Sequence, residues 1–415
     1  MLFFIFLRDN ARWIAGGLCF TFFSSFGQTF FISLSAGHIR EEYGLSNGGW
    51  GTLYMVATLA SALTLSYLGQ IVDRYSARQV AMLIVPVLAL GAVSMAFSHH
   101  LWQLLVTIYL LRLFGQGMMT HTAFTAIARW FAAQRGRAIS VVTLGFNAGE
   151  AVFPLTFVAV SGFVGWRTSW LLAATLLVVV ALPAILSLIA IERAPRASDP
   201  APRISDARDW TRAQVIRDPV FYLLMLGVMA PGFIGTTIYF HQVYLVELRH
   251  WSLETFASSF IVSASMTVVF ALIAGVLVDR FSGVALLPFF LLPLAAACVV
   301  LGSFDAQWSA FAFMAMLGLS NGISSTLFGS IWPEIYGVRH LGAIRALTVA
   351  IMVFATAMGP GLTGFLIDRG VSYPAQIIAM GFYCLLISLV MLYVSRRVRG
   401  RAGLSILEPS ATSRP

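Results

Sequence analysis

The sequence predicts an all-α membrane protein with twelve transmembrane helices in two pseudo-symmetric halves of six. Composition, the number of long apolar stretches and an internal repeat together predict this fold class. Of the 415 residues, 59% are hydrophobic and only 10% are charged, and the mean hydropathy is +0.85. A soluble domain carries about 25% charged residues. The composition therefore excludes an ordinary soluble fold.

Twelve apolar stretches are each long enough to cross a bilayer, for which about 20 residues are needed. The predicted spans of the first half are 13–37, 46–72, 79–98, 101–128, 138–163 and 168–190. Those of the second half are 220–246, 255–278, 284–304, 308–333, 346–367 and 373–395. We expect these stretches to form helices, because a helix satisfies its backbone hydrogen bonds within itself in a lipid environment.

A polar segment rich in Pro and Arg separates the two sets of spans. The predicted domains are an N-terminal half, a cytoplasmic linker, a C-terminal half and a cytoplasmic tail, with boundaries at 1–191, 192–219, 220–396 and 397–415. The two halves repeat each other at an offset of 206 residues, in the pairs Gly69–Gly275, Asp73–Asp279, Arg74–Arg280, Trp102–Trp308 and Pro154–Pro360. Such a repeat is typical of secondary transporters, whose substrate site lies near the bilayer midplane.

The distribution of arginine predicts the orientation in the membrane. All 26 basic residues are arginine, because the chain has no lysine. With both termini in the cytoplasm, 21 arginines lie on the cytoplasmic side and four in outer loops. Since cytoplasmic loops carry the excess of positive charge, we predict a multi-pass inner-membrane protein with both termini inside. The formal net charge of +9 then needs no nucleic-acid partner.

The loop after the second span and its weaker copy carry a recognisable motif. The loop reads GQIVDRYSAR from Gly69 to Arg78, and the copy runs from Gly275 to Arg280. On these motifs the chain resembles the major facilitator superfamily over nearly its whole length. The resemblance implies a cytoplasmic latch between the halves, with gating residues Gly69, Asp73, Arg74, Arg78, Asp279 and Arg280. The family's Gly and first basic residue are replaced here by Ser76 and Ala77, which departs from the usual latch.

Three shorter motifs resemble the monocarboxylate and oxalate–formate transporters of that superfamily. They are ARWFAAQRGRA at 128–138, GWR at 165–167 and HLGAIRA at 340–346. The anion-binding residues of those relatives are not matched. Met266 and Phe270 stand where monocarboxylate porters have an Asp and an Arg, and the predicted eighth and eleventh spans contain no basic residue. The scaffold is therefore shared without that anion clamp.

Two formal charges lie inside the twelve predicted spans, Arg112 in the fourth and Glu150 in the fifth. At about 1.5 Å per residue both fall near the middle of a hydrocarbon core of about 30 Å. An isolated charge at this depth is costly, so we expect an ion pair, direct or through water. The pair either locks the N-terminal half or forms the site, with Arg112 receiving an anionic group and Glu150 receiving a proton.

Neutral polar residues at similar depth are predicted to complete the site. Gln116 lies four residues after Arg112, and Asn147 three before Glu150, so each shares a helical face with its charged neighbour. Gln28 in the first span and Asn321 in the tenth belong to polar clusters. Hydrogen bonding between helices is the simpler explanation for the Ser and Thr of those clusters, and amides are the better site candidates.

The predicted function is secondary active transport of a small organic anion by alternating access. We expect coupling to protons, as symport. The alternatives are efflux of amphiphilic or cationic compounds, with Glu150 attracting the cation, and a membrane receptor that kept the fold without transporting. The partners expected are a small-molecule substrate, protons and membrane lipids.

An enzymatic function is not predicted. The sequence has no Gly-rich phosphate loop, no paired catalytic carboxylates and no His or Cys spacing that would hold a metal, so no cofactor and no metal are expected. The three cysteines, Cys19, Cys298 and Cys384, each lie inside an apolar run, where packing is their expected role. Without a nucleotide site, transport must draw on an existing gradient.

Overall fold

The computed structural model describes residues 2–131, 134–191, 193, 209–337 and 339–407. The predicted linker is therefore described only at its ends, and the tail only as far as residue 407. The described residues are helical apart from short connections, and contain no β-strand. The all-α prediction is confirmed.

The described part of the first half contains nine longer α-helices. They are Leu2–Phe23, Ala36–Tyr43, Asn47–Leu68, Ala77–Phe97, Leu101–Leu110, Thr120–Trp130, Arg135–Val164, Trp166–Leu176 and Leu182–Leu188. Shorter or irregular helical pieces connect them. These are the 3-10 segments Ser24–Gly27 and Ser33–Ser35, the α-helical turns Thr29–Ile32 and Ile71–Arg74, and the π-helical segments Leu111–Met119 and Leu177–Ala181.

The second half begins with a short helix that carries a capping box at Thr211 and Gln214, which satisfies two free backbone donors. Its helices are Arg212–Arg217, Pro219–Phe240, Gln242–Arg249, Leu253–Phe281, Gly283–Leu286, Leu292–Ser303, Trp308–Tyr336, Leu341–Asp368 and Tyr373–Leu407. The last helix continues beyond the predicted end of the twelfth span at residue 395.

Within the described residues, nine helices are long and apolar enough to cross a membrane. A bent pair, Ile5–Gly27 with Thr29–Tyr43 at 43°, supplies a tenth and corresponds to the predicted first span. The fourth predicted span is helical from 101 to 130 but changes to π geometry in its middle. The ninth is broken between Leu286 and Leu292. Each of the twelve predicted stretches is thus largely helical, although not all are single straight helices.

The break in the ninth span follows from two prolines. Pro288 lies between the two helical pieces and Pro293 lies in the first turn of the second piece. Proline has no backbone N–H and disfavours helical geometry in the preceding residue. The resulting helix Leu292–Ser303 has only 12 residues, fewer than a bilayer crossing needs.

The chain folds into two compact units. Unit 1 comprises residues 1–203, 236–264 and 357–372, and unit 2 comprises 204–235, 265–356 and 373–415. Residue 193, in unit 1, and residue 209, in unit 2, are the described residues on either side of the change between the two units, and both lie in the predicted linker. Two segments of the later half, however, pack within unit 1. The predicted domain boundaries stay a prediction.

Large apolar side chains cover the outer surface of many helices. Phe163 is 90% exposed and Leu272 is 72% exposed. Such surfaces are unfavourable in water and suit contact with lipid tails. The helices form a multi-pass membrane protein.

Candidate functional site

The first span is broken at its centre, and the break creates a polar site within unit 1. The helix Leu2–Phe23 continues as the 3-10 turn Ser24–Gly27, and Gln28 is extended with φ −82° and ψ 152°. The backbone oxygen of Gln28 accepts hydrogen bonds from Phe31 N at 3.2 Å and Ile32 N at 3.1 Å, so the helix restarts there. A break of this kind leaves carbonyl groups before it without helical partners.

Arg112 donates to the end of the first helical piece. Its Nη1 donates to Gly27 O at 3.2 Å and to Thr29 Oγ1 at 3.3 Å. The guanidinium lies over the Tyr54 ring, with Cζ 5.4 Å from the ring centroid. A cation near a helix C-terminus interacts favourably with the helix dipole. Only 3% of Arg112 is exposed, and its Nε has no partner among the described residues.

Small residues allow the fourth span to reach the break. The Cα of Gly115 would lie 2.6 Å from a Cβ built on Gly27, and a Cβ on Gly115 would in turn lie 2.7 Å from Gly27 N. No side chain fits at either position. This backbone contact brings Arg112, one turn earlier in the fourth span, onto the oxygen of Gly27.

Glu150 lies in the fifth span and has a different partner. Tyr239, in the segment 236–264 of unit 1, donates its hydroxyl to Glu150 Oε1 at 2.7 Å. Glu150 is 4% exposed. The preceding residue, Gly149, packs against Ser25 so closely that a Cβ would collide with the Ser25 hydroxyl. The fifth span therefore meets the same break in the first span that the fourth span meets.

The direct form of the predicted ion pair between Arg112 and Glu150 is not made in the described structure. Although Arg112 and Glu150 both lie in the described part of the chain, each uses other partners, Gly27 and Thr29 for the arginine and Tyr239 for the glutamate. Counting along an apolar run predicts the depth of a residue in a span but not the direction of its side chain. Equal depth on adjacent spans is therefore insufficient for contact.

The four predicted amides have different surroundings. Gln28 forms the break itself and is 7% exposed, and Asn147 is also 7% exposed. Gln116 is half-buried in the π-helical segment, where hydrogen bonds run from i to i+5. The α-helical spacing that placed Gln116 on the face of Arg112 therefore does not apply. Asn321, half-buried in the helix Trp308–Tyr336, belongs to unit 2.

Two tyrosines contribute to the site that the sequence did not single out. Tyr54 shares a 2.7 Å hydrogen bond with Thr29 and lies beneath the Arg112 guanidinium, while Tyr239 holds Glu150. Each lies inside an apolar run, and a buried tyrosine usually finds a partner for its hydroxyl. That tendency is the signal that could have identified them.

The predicted gating residues lie at helix ends. Gly69 follows the helix Asn47–Leu68 and its oxygen contacts His121 Nε2 at 3.2 Å. Asp73, Arg74 and Arg78 are exposed, and their side chains have no hydrogen bond to the described residues. In unit 2, Asp279 and Arg280 are exposed as well, and Arg280 lies over the Phe281 ring with Cζ 5.2 Å from its centroid. Their role as a latch stays a prediction.

Unit 1 has a second polar region, formed where segments of the later half meet the first two spans. Arg40 pairs with Glu247 at 2.8 Å, and Gly48 N donates to Asp368 Oδ2 at 2.9 Å. Gln242 donates to Phe30 O at 2.9 Å. A cavity of about 480 Å³ lies beside Arg40 and Glu247, and neither Arg112 nor Glu150 lines it. In the predicted orientation these contacts are on the outer side.

The described residues contain no group of three or more His, Cys, Asp or Glu side chains arranged to hold a metal ion. The cysteines of the described chain are free thiols; Cys298 and Cys384 are buried and Cys19 is half-buried.

The sequence of the chain matches the model of a known protein family. The sequence model of the Major Facilitator Superfamily matches residues 17–342. The chain belongs to this superfamily. Two solved structures of a bacterial homologue of the human lysosomal transporter Spinster, both inward-facing, share the superfamily fold with it. The unoccupied form has a TM-score of 0.73 at 16% identity, and covers 93% of this chain and 97% of that one. The occupied form has a TM-score of 0.68 at 15% identity, and the alignment covers 92% of this chain and 96% of that one.

Curated relatives in the superfamily match only parts of the chain. "MFS-type transporter 1" of Ophiocordyceps sp. (strain BCC 1869) is 24% identical over 226 residues, which are 52% of this chain and 49% of the relative. The "Probable sulfoacetate transporter SauU" of Cupriavidus necator (strain ATCC 17699 / DSM 428 / KCTC 22496 / NCIMB 10442 / H16 / Stanier 337) is 24% identical over 159 residues, 38% and 37% of the two chains. The matches thus span about half, or less, of these relatives. Superfamily membership makes the protein a membrane transporter and not an enzyme.

Proposed function

We propose that the protein is a secondary transporter of a small organic anion, which works by alternating access and is coupled to protons. Arg112 binds the anionic group of the substrate, and Glu150 is the proton site. The two six-span halves are the moving bodies, both termini lie in the cytoplasm, and the loops at Gly69–Arg78 and Gly275–Arg280 act as the cytoplasmic latch.

The proposal rests on the buried guanidinium of Arg112, which has no acidic partner among the described residues. Its contacts are neutral oxygens and an aromatic ring, and its Nε has no hydrogen bond in the described structure. Hydrogen bonds to neutral groups stabilise a buried charge only in part. An incoming carboxylate would supply the missing negative charge and accept from the guanidinium in a planar geometry.

A distant relative offers weaker support for the substrate class. The Cupriavidus protein is named for sulfoacetate, which is a small organic anion. The resemblance of the loop motifs to monocarboxylate and oxalate–formate transporters points to the same class, although their anion-binding residues are not matched in this chain.

The test is a thermal-shift titration of the purified protein with small carboxylates and with neutral or cationic compounds. A ligand at a hundred times its dissociation constant stabilises the folded state by about 2.7 kcal/mol. We expect carboxylates to stabilise the wild-type protein and to have no effect on Arg112→Gln. We expect Arg112→Lys, which keeps the charge but not the planar fork, to bind about tenfold more weakly.

One control variant and two contradicting outcomes make the result decisive. Arg167→Gln removes an arginine that contacts Glu42 and Ala96 and should leave carboxylate binding unchanged. A folded Arg112→Gln protein that binds carboxylates like the wild type would contradict the proposal. If Arg112→Gln does not fold, the test uses Arg112→Lys. The proposal is contradicted if Arg112→Lys binds carboxylates as tightly as the wild type and the wild type does not discriminate between carboxylates and neutral compounds.

A further inference from the structure

We infer that the substrate is a zwitterion, whose anionic group binds to Arg112 and whose cationic nitrogen binds to Glu150. This inference rests on the proposed function, because it takes the anionic group at Arg112 from it. It adds a second charged group to the substrate and changes the coupling from symport to exchange, since the substrate's own cation then replaces the proton on Glu150.

Two buried charges of opposite sign lie in unit 1 without a direct ion pair between them. Arg112 is 3% exposed and Glu150 is 4% exposed. Each contacts only uncharged groups of the described chain, as the partners Gly27, Thr29 and Tyr239 show. A single buried charge without a counter-ion is strongly unfavourable. One ligand that carries both signs would compensate both residues at once.

Both charged residues lie next to glycines that pack on the same short piece of chain. Gly115, one turn after Arg112, packs on Gly27, and Gly149, next to Glu150, packs on Ser25. Ser25 and Gly27 belong to one 3-10 turn at the break of the first span. The two charged residues are thus held beside the same turn within unit 1. This arrangement suits a compact substrate with its charges at opposite ends.

Aromatic side chains pack around Tyr239, the partner of Glu150. Phe146 lies one helical turn before Glu150, and Tyr239 donates to its carboxylate. Phe30 packs on both rings, with centroids 6.0 Å from Phe146 and 6.3 Å from Tyr239. Phe260 completes the cluster at 5.0 Å from Tyr239 and 5.9 Å from Phe30. A carboxylate combined with aromatic faces is the environment that binds organic ammonium groups.

The Arg112 end of the site has the opposite character. Its described contacts are the carbonyl of Gly27, the hydroxyl of Thr29 and one ring, that of Tyr54. A guanidinium with a free donor binds a carboxylate, sulfonate or phosphonate, whereas it repels an ammonium group. The two ends therefore fix the direction in which a zwitterion binds.

Competition between the ammonium group and the proton predicts a pH dependence. In the described structure Tyr239 is the titratable group that contacts Glu150. The arginines and histidines near the fifth span contact other groups. Arg12 donates to the Leu188 carbonyl, Arg129 to the Val72 carbonyl and Arg167 to Glu42. His121 contacts the Gly69 carbonyl, and His241 contacts the Pro360 carbonyl. Arg8 pairs with Asp9 at the start of the first helix. A zwitterion binds to the ionised form of Glu150 and so displaces the proton from protonated Glu150, and its affinity therefore rises with pH. A simple carboxylate that binds together with a proton shows the opposite slope.

The experiment compares matched ligands by calorimetry on the purified full-length protein. The ω-amino acids β-alanine, γ-aminobutyrate and ε-aminohexanoate are titrated beside propionate, butyrate and hexanoate. We expect at least one amino acid to bind about tenfold or more tightly than the carboxylate of the same length. In Glu150→Gln this preference should disappear, because the amino acid then binds no more tightly than the carboxylate of the same length.

A second variant addresses the case in which Glu150→Gln fails to fold. Glu150→Asp keeps the charge and withdraws it by one methylene, so the preferred amino acid should become longer. The affinity of the wild type for the preferred amino acid should rise from mildly acidic to mildly alkaline buffer, and this rise should be absent in Glu150→Gln.

The possible failures are distinguishable. If no amino acid binds more tightly than its matched carboxylate, or if the preference survives in Glu150→Gln, or if Glu150→Asp leaves the preferred length unchanged, the zwitterion inference is overturned. Carboxylate binding that is lost in Arg112→Gln would still support the proposed function. If neither class of ligand binds, both proposals fail.

Discussion

Gly27 and Gly115 are the residues on which the position of Arg112 depends. Their backbones touch, and a Cβ on either would meet the backbone of the other. A methyl group there would force the first and fourth spans apart and draw the guanidinium away from the Gly27 oxygen. A guanidinium at this depth is tolerable only while its hydrogen bonds are kept.

Gly115→Ala should therefore destabilise the protein by about 1–3 kcal/mol, because overpacking in a well-packed interior has this magnitude. The measurement is the thermal midpoint in detergent, compared with Gly162→Ala as the control. Gly162 is exposed in the helix Arg135–Val164 with nothing within 4 Å of a built Cβ. Alanine there should be neutral or stabilising by up to about 1 kcal/mol. Equal midpoints for the two variants would show that the close contact does not constrain the site.

The identity and depth of Arg112 and Glu150 can be predicted from the sequence, but their partners cannot. Depth follows from counting residues along an apolar run at a fixed rise. The direction of a side chain depends on where a helix is broken or widened, and the break at Gln28 leaves little trace in the local composition. Tyr239 could not be found for a related reason, since it lies 89 positions from Glu150 in the chain.

At the scale of the helix, two side chains cap the start of the second span. Ser46 caps this helix by accepting from Gly49 N at 3.0 Å, and Asp368 accepts from Gly48 N at 2.9 Å. Asp368 is the last residue of the helix Leu341–Asp368. A carboxylate at a helix N-terminus satisfies a free donor and interacts favourably with the helix dipole.

Asp368→Ala should speed hydrogen exchange of the backbone amides of 47–50, because one of the free donors loses its acceptor. The loss of such a cap is worth about 0.5–2 kcal/mol. Asp368→Asn keeps a neutral acceptor of the same shape and should produce a smaller change. Glu41→Ala, at an exposed position on the same side of unit 1, is the control and should leave these amides as protected as in the wild type. Unchanged exchange in Asp368→Ala would contradict the cap.

The helices themselves are largely predictable, whereas their interruptions are not. Long apolar runs predict helices in lipid because no other open structure satisfies the backbone there. The ninth span shows where the rule is incomplete, since Pro288 and Pro293 lie inside an apolar run whose length and hydropathy predict an unbroken helix. The π geometry of Leu111–Met119 has no comparable composition signal.

At the scale of the whole molecule, the arginine distribution predicts orientation. A fluorescent protein that matures only in the cytoplasm, fused after residue 415, should be bright in intact cells, because most of the arginines lie on the same side of the spans as the C-terminus and that side is predicted to be cytoplasmic. The same reporter inserted in the loop at 250–252, which joins the helices Gln242–Arg249 and Leu253–Phe281, should be dark at equal expression. A dark terminal fusion together with a bright loop insertion would reverse the predicted topology.

The superfamily is predictable from short motifs, and the substrate is not. The loop Gly69–Arg78 and its copy are local in sequence, and the match to the family model over residues 17–342 confirms the superfamily. Substrate recognition depends instead on side chains from several spans that meet at one place. Arg112 and Glu150 stand out because they are charged, but the aromatic cluster around Glu150 is assembled from separate segments of the chain and has no sequence signature.

The π-helical middle of the fourth span determines where one residue can be deleted from this span. A turn closed from i to i+5 holds one residue more than a turn closed from i to i+4. The segment Leu111–Met119 thus contains a spare residue relative to an ordinary helix. Deleting one residue elsewhere in a span rotates everything beyond it by about 100°. A deletion within this segment can instead be absorbed by a return to α geometry, which leaves Thr120–Trp130 facing its present neighbours. The fourth span, like the sixth with its π-helical segment Leu177–Ala181, is therefore a place where the chain can lose a residue without rotating the rest of the helix.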